Sequence, residues 1–69
     1  MQTFELKDHP FITLTNLLKV LHLVGSGGEA NMRIVAGEVR VNGVVATEKR
    51  KKLRVGDTVI FEGQTIEIR

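Results

Sequence analysis

Two hydrophobic rhythms divide the chain. In TLTNLLKVLHLV, residues 13 to 24, Leu14, Leu17, Leu18 and Leu21 recur at the i, i+3, i+4, i+7 spacing of a buried helical stripe. Thr15, Lys19 and His22 share the opposite, wetter face. Thr13 suits the N-cap, because its hydroxyl can accept from a first-turn amide. Gly25 is expected to end this helix, and GSGGEANMRIVAG starts another. There Ser26 and Glu29 have the spacing of a capping box, Ala30 and Ile34 lie one turn apart on the inner face, and Gly37 stands where a left-handed C′ residue belongs. The pattern predicts helix, tight turn, helix.

From Glu38 the period falls to two. Val39 and Val41 point inward and Arg40 outward, and Asn42-Gly43 is a two-residue hairpin turn. Gly56-Asp57 marks another turn. TVIFEGQTIEIR then predicts a second hairpin, with Val59 and Phe61 inward, a turn at Gly63-Gln64, and Ile66 and Ile68 returning. Ahead of the helices, TFEL alternates Phe4 and Leu6 against Thr3 and Glu5, a short strand closed off by Pro10. Phe4 and Phe61 are expected in the core. The fold class is α+β: two helices packed on a small antiparallel sheet built from hairpins, as a single domain over residues 1–69 with no repeat and no linker.

A chain of 69 residues buries only about 60% of its unfolded surface, so its core has little to spare. It has no cysteine, which removes disulfides and thiolate metal sites together. MQTFELKDHP mixes both charges with a proline, unlike a signal peptide, and LLKVLHLV is too short and too interrupted to span a bilayer. The expectation is a cytoplasmic protein.

Charge changes the picture more. The net charge is +2, but five of the ten basic residues, Lys49, Arg50, Lys51, Lys52 and Arg54, fall within six positions. Without them, five Lys or Arg face eight Asp or Glu, a balance of −3. Like charges repel, so folding gains nothing from gathering them. The run is either a solvated loop or a seat for an anionic partner, and its place between strands, with Leu53 and Val55 expected to anchor it, favours the seat. Phosphate contacts from such residues supply affinity but little sequence information.

Catalytic chemistry finds no footing. The chain has one serine and no cysteine, and His9 and His22 have neither metal-ligand spacing nor a third partner. No cofactor, metal or small-molecule substrate is expected. GSGGEA matches G-x-G-x-x-A through Gly25, Gly27 and Ala30, but a helix precedes it and no βαβ unit follows, so it is not a dinucleotide fingerprint. Glycines opening a helix still leave amides accessible at the positive end of its dipole, where a phosphate can bind; alternatively, Gly25, Gly27 and Gly28 only shape the turn. The three phenylalanines are the sole aromatics, which disfavours base stacking and favours recognition of a structured nucleic acid by its shape and backbone.

With these elements placed, the pattern resembles the RNA-binding domain named after small-subunit ribosomal protein four, which also occurs in some tRNA synthetases, pseudouridine synthases and a heat-shock protein. The matching residues are TLTNLLKVLHLV, SGGEA, Gly37, Val39, Val41-Asn42-Gly43 and Gly56-Asp57, within residues 12 to 60 or so. The ITL, SGGEA, VNG and KKLRVGD segments are similar to its stand-alone bacterial branch. The resemblance implies RNA binding through the start of the second helix and the basic loop, with Ser26, Gly27, Gly28, Asn31, Lys49, Arg50, Lys51, Lys52 and Arg54 as site residues. Family members usually carry an arginine after the serine and a basic residue two positions after the glutamate. Here Gly27 and Asn31 stand in those places, and Arg33 falls where many relatives keep an apolar residue. The expected function is that of a small non-enzymatic protein binding structured RNA, ribosomal or transfer RNA among the candidates, within an RNA-metabolism or ribosome-related complex that includes a protein partner. The alternative is a protein-binding adaptor that sets the basic loop on an acidic partner.

Overall fold

The computed structural model describes residues 2–69. Its elements run β1 (Gln2–Phe4), β2 (Ile12–Thr13), α1 (Leu14–Val20), α2 (Gly27–Val35), β3 (Val39–Val41), β4 (Val44–Val45), β5 (Lys52–Leu53), β6 (Thr58–Phe61) and β7 (Gln64–Ile68). Five strands form one sheet in the order β1-β7-β6-β3-β4, and β2 pairs with β5 in a separate two-stranded ribbon.

Within the sheet the hairpins are antiparallel as expected, with Val41 opposite Val44 and Phe61 opposite Gln64. β1 differs, because it lies parallel to β7 with Gln2 opposite Ile66 and Phe4 opposite Ile68. The sheet is therefore mixed, its first strand joined to its last. The second hairpin turns at Glu62-Gly63, one residue earlier than Gly63-Gln64. Both residues take positive φ (51° and 76°), as Asn42 and Gly43 do in the first hairpin (53° and 84°), the signature of type I′ turns.

Leu14, Leu17 and Leu18 of α1 are fully buried, as are Ala30 and Ile34 of α2, and they close over Val39, Val59, Phe61, Ile66 and Ile68. Leu6 is buried with them, whereas Phe4 only packs against their margin. Thr13 caps α1 and Ser26 caps α2, each accepting from the amide three residues on. The Glu29 side chain accepts from the amide of Gly25 at 2.8 Å, one residue ahead of the cap that a capping box engages.

α1 ends at Val20, not at Gly25. His22 adopts φ 58°, its amide donates to Lys19 O at 3.1 Å, and the Leu23 amide donates to Leu18 O at 3.0 Å. Those two bonds are a Schellman motif with histidine at C′. α2 closes in the same way, with Gly37 (φ 81°) donating to Ile34 O and Glu38 to Arg33 O. Past the end of the helix, Leu21 and Leu23 are only partly buried against the core.

Candidate nucleic-acid interface

The basic run is held by its backbone. Glu48 O accepts from the Lys51 amide at 3.2 Å, making Lys49 and Arg50 the tip of a β-turn. Lys51 O then accepts from the amide of Leu14, and Lys49 O from that of Thr15 (2.9 and 3.3 Å). The first-turn amides of α1, which have no acceptor inside the helix, are thus satisfied by carbonyls of the basic run. Leu53 is fully buried and pairs with Ile12. Val55 is 71% exposed, so Leu53 alone anchors the run, contrary to the expectation for both.

Thr15 ties this loop to α2. Its hydroxyl oxygen lies 2.7 Å from Lys49 O and 2.8 Å from the Asn31 side-chain oxygen. A hydroxyl has one proton to give. The chemically complete chain runs from the Asn31 amide N–H to the Thr15 hydroxyl and on to the Lys49 carbonyl, with the Asn31 amide turned over and its oxygen facing outward. The methyl of Thr15 also sits 4.0 Å from where a Cβ on Gly27 would be. One threonine therefore bonds to both Asn31 and Lys49, tying together the helix start and the basic loop that the resemblance places in one surface. Thr15 itself was not among the candidates, since only its wet-face position marked it.

The five cations do not form one patch. Lys49 lines a shallow hollow with Asn31 and Met32. Lys51 is half-buried and lines another with Asn42 and Glu48. Lys52 and Arg54 lean on the ring of Phe11, with Nζ 4.9 Å and the guanidinium carbon 5.6 Å from its centroid. Arg50 is exposed at the tip. None of the five is within ion-pair distance of a carboxylate among the described residues, whereas Arg33 meets Glu38 and Glu62 at 2.5 and 2.6 Å. Those partners raise the Arg33 pKa above its ordinary value, Glu62 first, through its hydrogen bond. The Arg33 guanidinium lies 4.8 Å from the Phe61 centroid, covering the core at a place suited to an apolar side chain.

At the start of α2, Ser26 Oγ is spent on the Glu29 amide at 3.1 Å. Gly27 and Gly28, the first two helical residues, have no intrahelical acceptor for their amides. Neither takes a positive φ, and a Cβ on either would meet nothing closer than 3.9 Å. The backbone does not require glycine at either position, which weakens the turn-only reading. The Glu29 carboxylate occupies part of the positive end of the dipole, so an incoming anion meets Gly27 and Gly28 beside a negative charge.

The two glycine turns flanking the basic run are joined through side chains. Asn42 Nδ2 donates to Asp57 at 3.1 Å, Asn42 Oδ1 accepts from the Thr58 amide at 2.9 Å, and the Arg54 amide donates to Asp57 at 2.8 Å. The Arg54 amide is the main reason that Asp57 titrates below the ordinary carboxylate range, with Asn42 and the charges of Lys51 and Arg54 adding to it against partial burial. The VNG and GD segments are thus the two halves of a clamp at the base of the basic loop.

A two-helix unit whose second helix opens beside a clamped basic loop is the architecture of the S4 domain, and residues 4–69 match the model of that family. The chain belongs to the S4 domain family. It is 41% identical over 68 residues to YbcJ of Escherichia coli strain K12, covering 99% of this chain and 97% of that protein. The match to YbcJ of Shigella flexneri has the same identity and coverage. The solution structure of Escherichia coli YbcJ superposes with a TM-score of 0.74, covering 99% of this chain and 86% of that one, and is described as revealing an ALFAL motif involved in RNA binding. Among the described residues there is no cluster of potential metal ligands and no helix long and apolar enough to cross a membrane.

Proposed function

We propose that this chain is a non-enzymatic RNA-binding protein, acting as one unit, that holds structured RNA mainly by its phosphates. Lys49, Arg50, Lys52 and Arg54 supply the charge. The amides of Gly27 and Gly28 line the adjoining helix start as donors to phosphate, Ser26 serves there as the cap, and the outward oxygen of Asn31, an acceptor, suits a ribose hydroxyl instead. Lys51 contributes least, because it is half-buried while the other four are exposed. The observation that carries this reading is that five cations, none within ion-pair distance of a carboxylate among the described residues, stand on a loop whose backbone is bound to α1. Crowded like charge on a fixed base costs energy that an anionic ligand offsets. Family membership and the RNA-binding motif described for YbcJ support the same conclusion.

Few phosphate contacts make a weak binder at physiological salt, so a second module or a partner protein completes the affinity, in a cytoplasmic complex acting on ribosomal or transfer RNA. Exposed Met32, Val35 and Val44, near the cations of 49 and 51, give such a partner an apolar foothold. Titration of the labelled protein with an RNA hairpin, followed by amide NMR, tests the reading. Shifts concentrated at residues 26–31 and 49–54 are expected. Absence of shifts with RNA, together with the same shifts on adding an acidic peptide, would hand the site to the adaptor reading.

A further inference from the structure

A groove of about 510 Å³ opens between β1 and α1, on the Phe11 side of the basic loop. Phe4 and Phe11 line it with two aromatic rings, His9 and Asn16 bring polar side chains to it, and Glu5 and Lys7 add one charge of each sign at its wall. Phe4 and Phe11 are both half-buried, Phe4 against the margin of the core, and each keeps part of its surface open to solvent. The volume lies in the range of clefts that bind small organic groups, and apolar walls with a few polar groups are the usual composition of such sites.

The neighbouring charge identifies the occupant. The ring of Phe11 lines the groove and also carries Lys52 and Arg54 at 4.9 and 5.6 Å. One aromatic residue is therefore shared between an apolar cleft and the cations proposed to hold phosphate. A nucleotide presents that combination, a flat base with π-faces and a phosphate on the same short linkage. Bases inside a duplex are not available to such a cleft, whereas unpaired ones can be splayed out and stacked on aromatic side chains.

The geometry points to this groove as the seat of an unpaired nucleobase, stacked against Phe4 or Phe11, in the strand whose phosphates meet Lys52 and Arg54. The inference rests on the RNA-binding reading above and extends it. The protein grips structured RNA next to a single-stranded end or bulge, and the sparse aromatics, which by themselves argued against stacking, are placed where one base can use them. His9 and Asn16, which line the groove, offer donor and acceptor groups to a base edge.

The test compares two RNAs by fluorescence anisotropy, a blunt duplex of about 12 base pairs and the same duplex with short unpaired overhangs. The overhangs should tighten binding about ten-fold. Phe11→Leu, which keeps an apolar side chain and removes the π-face, should bring the overhang and blunt duplexes to equal affinity, with any loss from the cations that rested on the ring falling on both RNAs alike. In the wild-type protein, the ring protons of Phe4 and Phe11 should shift with the overhang RNA and not with the blunt one. Equal affinity for the two RNAs with unmoved rings overturns the groove proposal and leaves the phosphate reading standing. Shifts of the same rings with protein concentration alone mean that a second copy covers the groove, and also overturn it. Loss of salt-dependent binding to both RNAs overturns the phosphate reading and this one together.

Discussion

Asp57 shows how a single side chain serves the site from beneath it. Its carboxylate binds the Arg54 amide and the Asn42 side chain, and it is held below the ordinary carboxylate range chiefly by the Arg54 amide. The folded state therefore binds a proton less readily than the unfolded chain, whose aspartate titrates near pH 3.9 or so. The stabilisation is fully present above about pH 4 and is lost as the pH falls from there through the lower folded value. Asp57→Asn is expected to lower the Tm at neutral pH and to flatten its fall below pH ~4 relative to wild type. Parallel Tm profiles for the two proteins would remove Asp57 from the clamp. The sequence marked Asn42, Gly43, Gly56 and Asp57 as turn residues, and rightly. That Asn42 reaches across to Asp57 and Thr58 was not legible, because turn propensity says nothing about which turns meet. Arg33 was unreadable for a related reason, since its cover for Phe61 depends on Glu38 and Glu62 arriving from two other elements.

At the scale of elements, the periodic signals were read correctly, and so were the ends of α2, whereas the end of α1 was not. The stripe of leucines placed α1, and Ser26 with Gly37 bracketed α2. α1 stops earlier than Gly25 because His22 takes the left-handed position at its C′, where glycine would be the clear signal. A left-handed side-chain residue costs on the order of 1 kcal/mol that glycine avoids. His22→Gly should therefore raise the Tm by a few degrees, partly offset by the greater freedom of glycine in the unfolded chain. A lower Tm would mean that the His22 side chain makes a contribution of its own. Gly27 and Gly28 behave oppositely. Their conformations are open to alanine and a Cβ has room, so Gly27→Ala and Gly28→Ala should leave stability within about 1 kcal/mol of wild type or above it. RNA affinity should nevertheless fall several-fold, as methyl groups crowd the exposed amides. Destabilised variants with unchanged affinity would restore the turn-only role. β2 and β5 escaped the sequence reading because two residues apiece carry no alternation, and the β1–β7 pairing escaped it because a three-residue strand does not name its neighbour.

Over the whole molecule, a −3 body carries a +5 loop, and this contrast was fully legible in one dimension. The directions in which the cations point were not. The chain order suggests one patch, while the fold sends Lys49 toward α2, Lys51 toward the first hairpin, and Lys52 with Arg54 onto Phe11. That division separates the four exposed cations, free to meet phosphates, from the half-buried Lys51. Each phosphate neutralised on duplex nucleic acid contributes about −0.9 to the slope of log K against log salt. The most direct measurement is that slope for a structured RNA, in wild type, in Lys51→Ala, and in the triple variant Lys49→Ala, Arg50→Ala, Lys52→Ala. The triple variant is expected to bind more weakly and to flatten the slope by about 2 to 3 while staying folded, because exposed loop charges add little to stability, with Lys51→Ala close to wild type in slope. A triple variant that binds the RNA with the wild-type affinity and slope would contradict the phosphate reading.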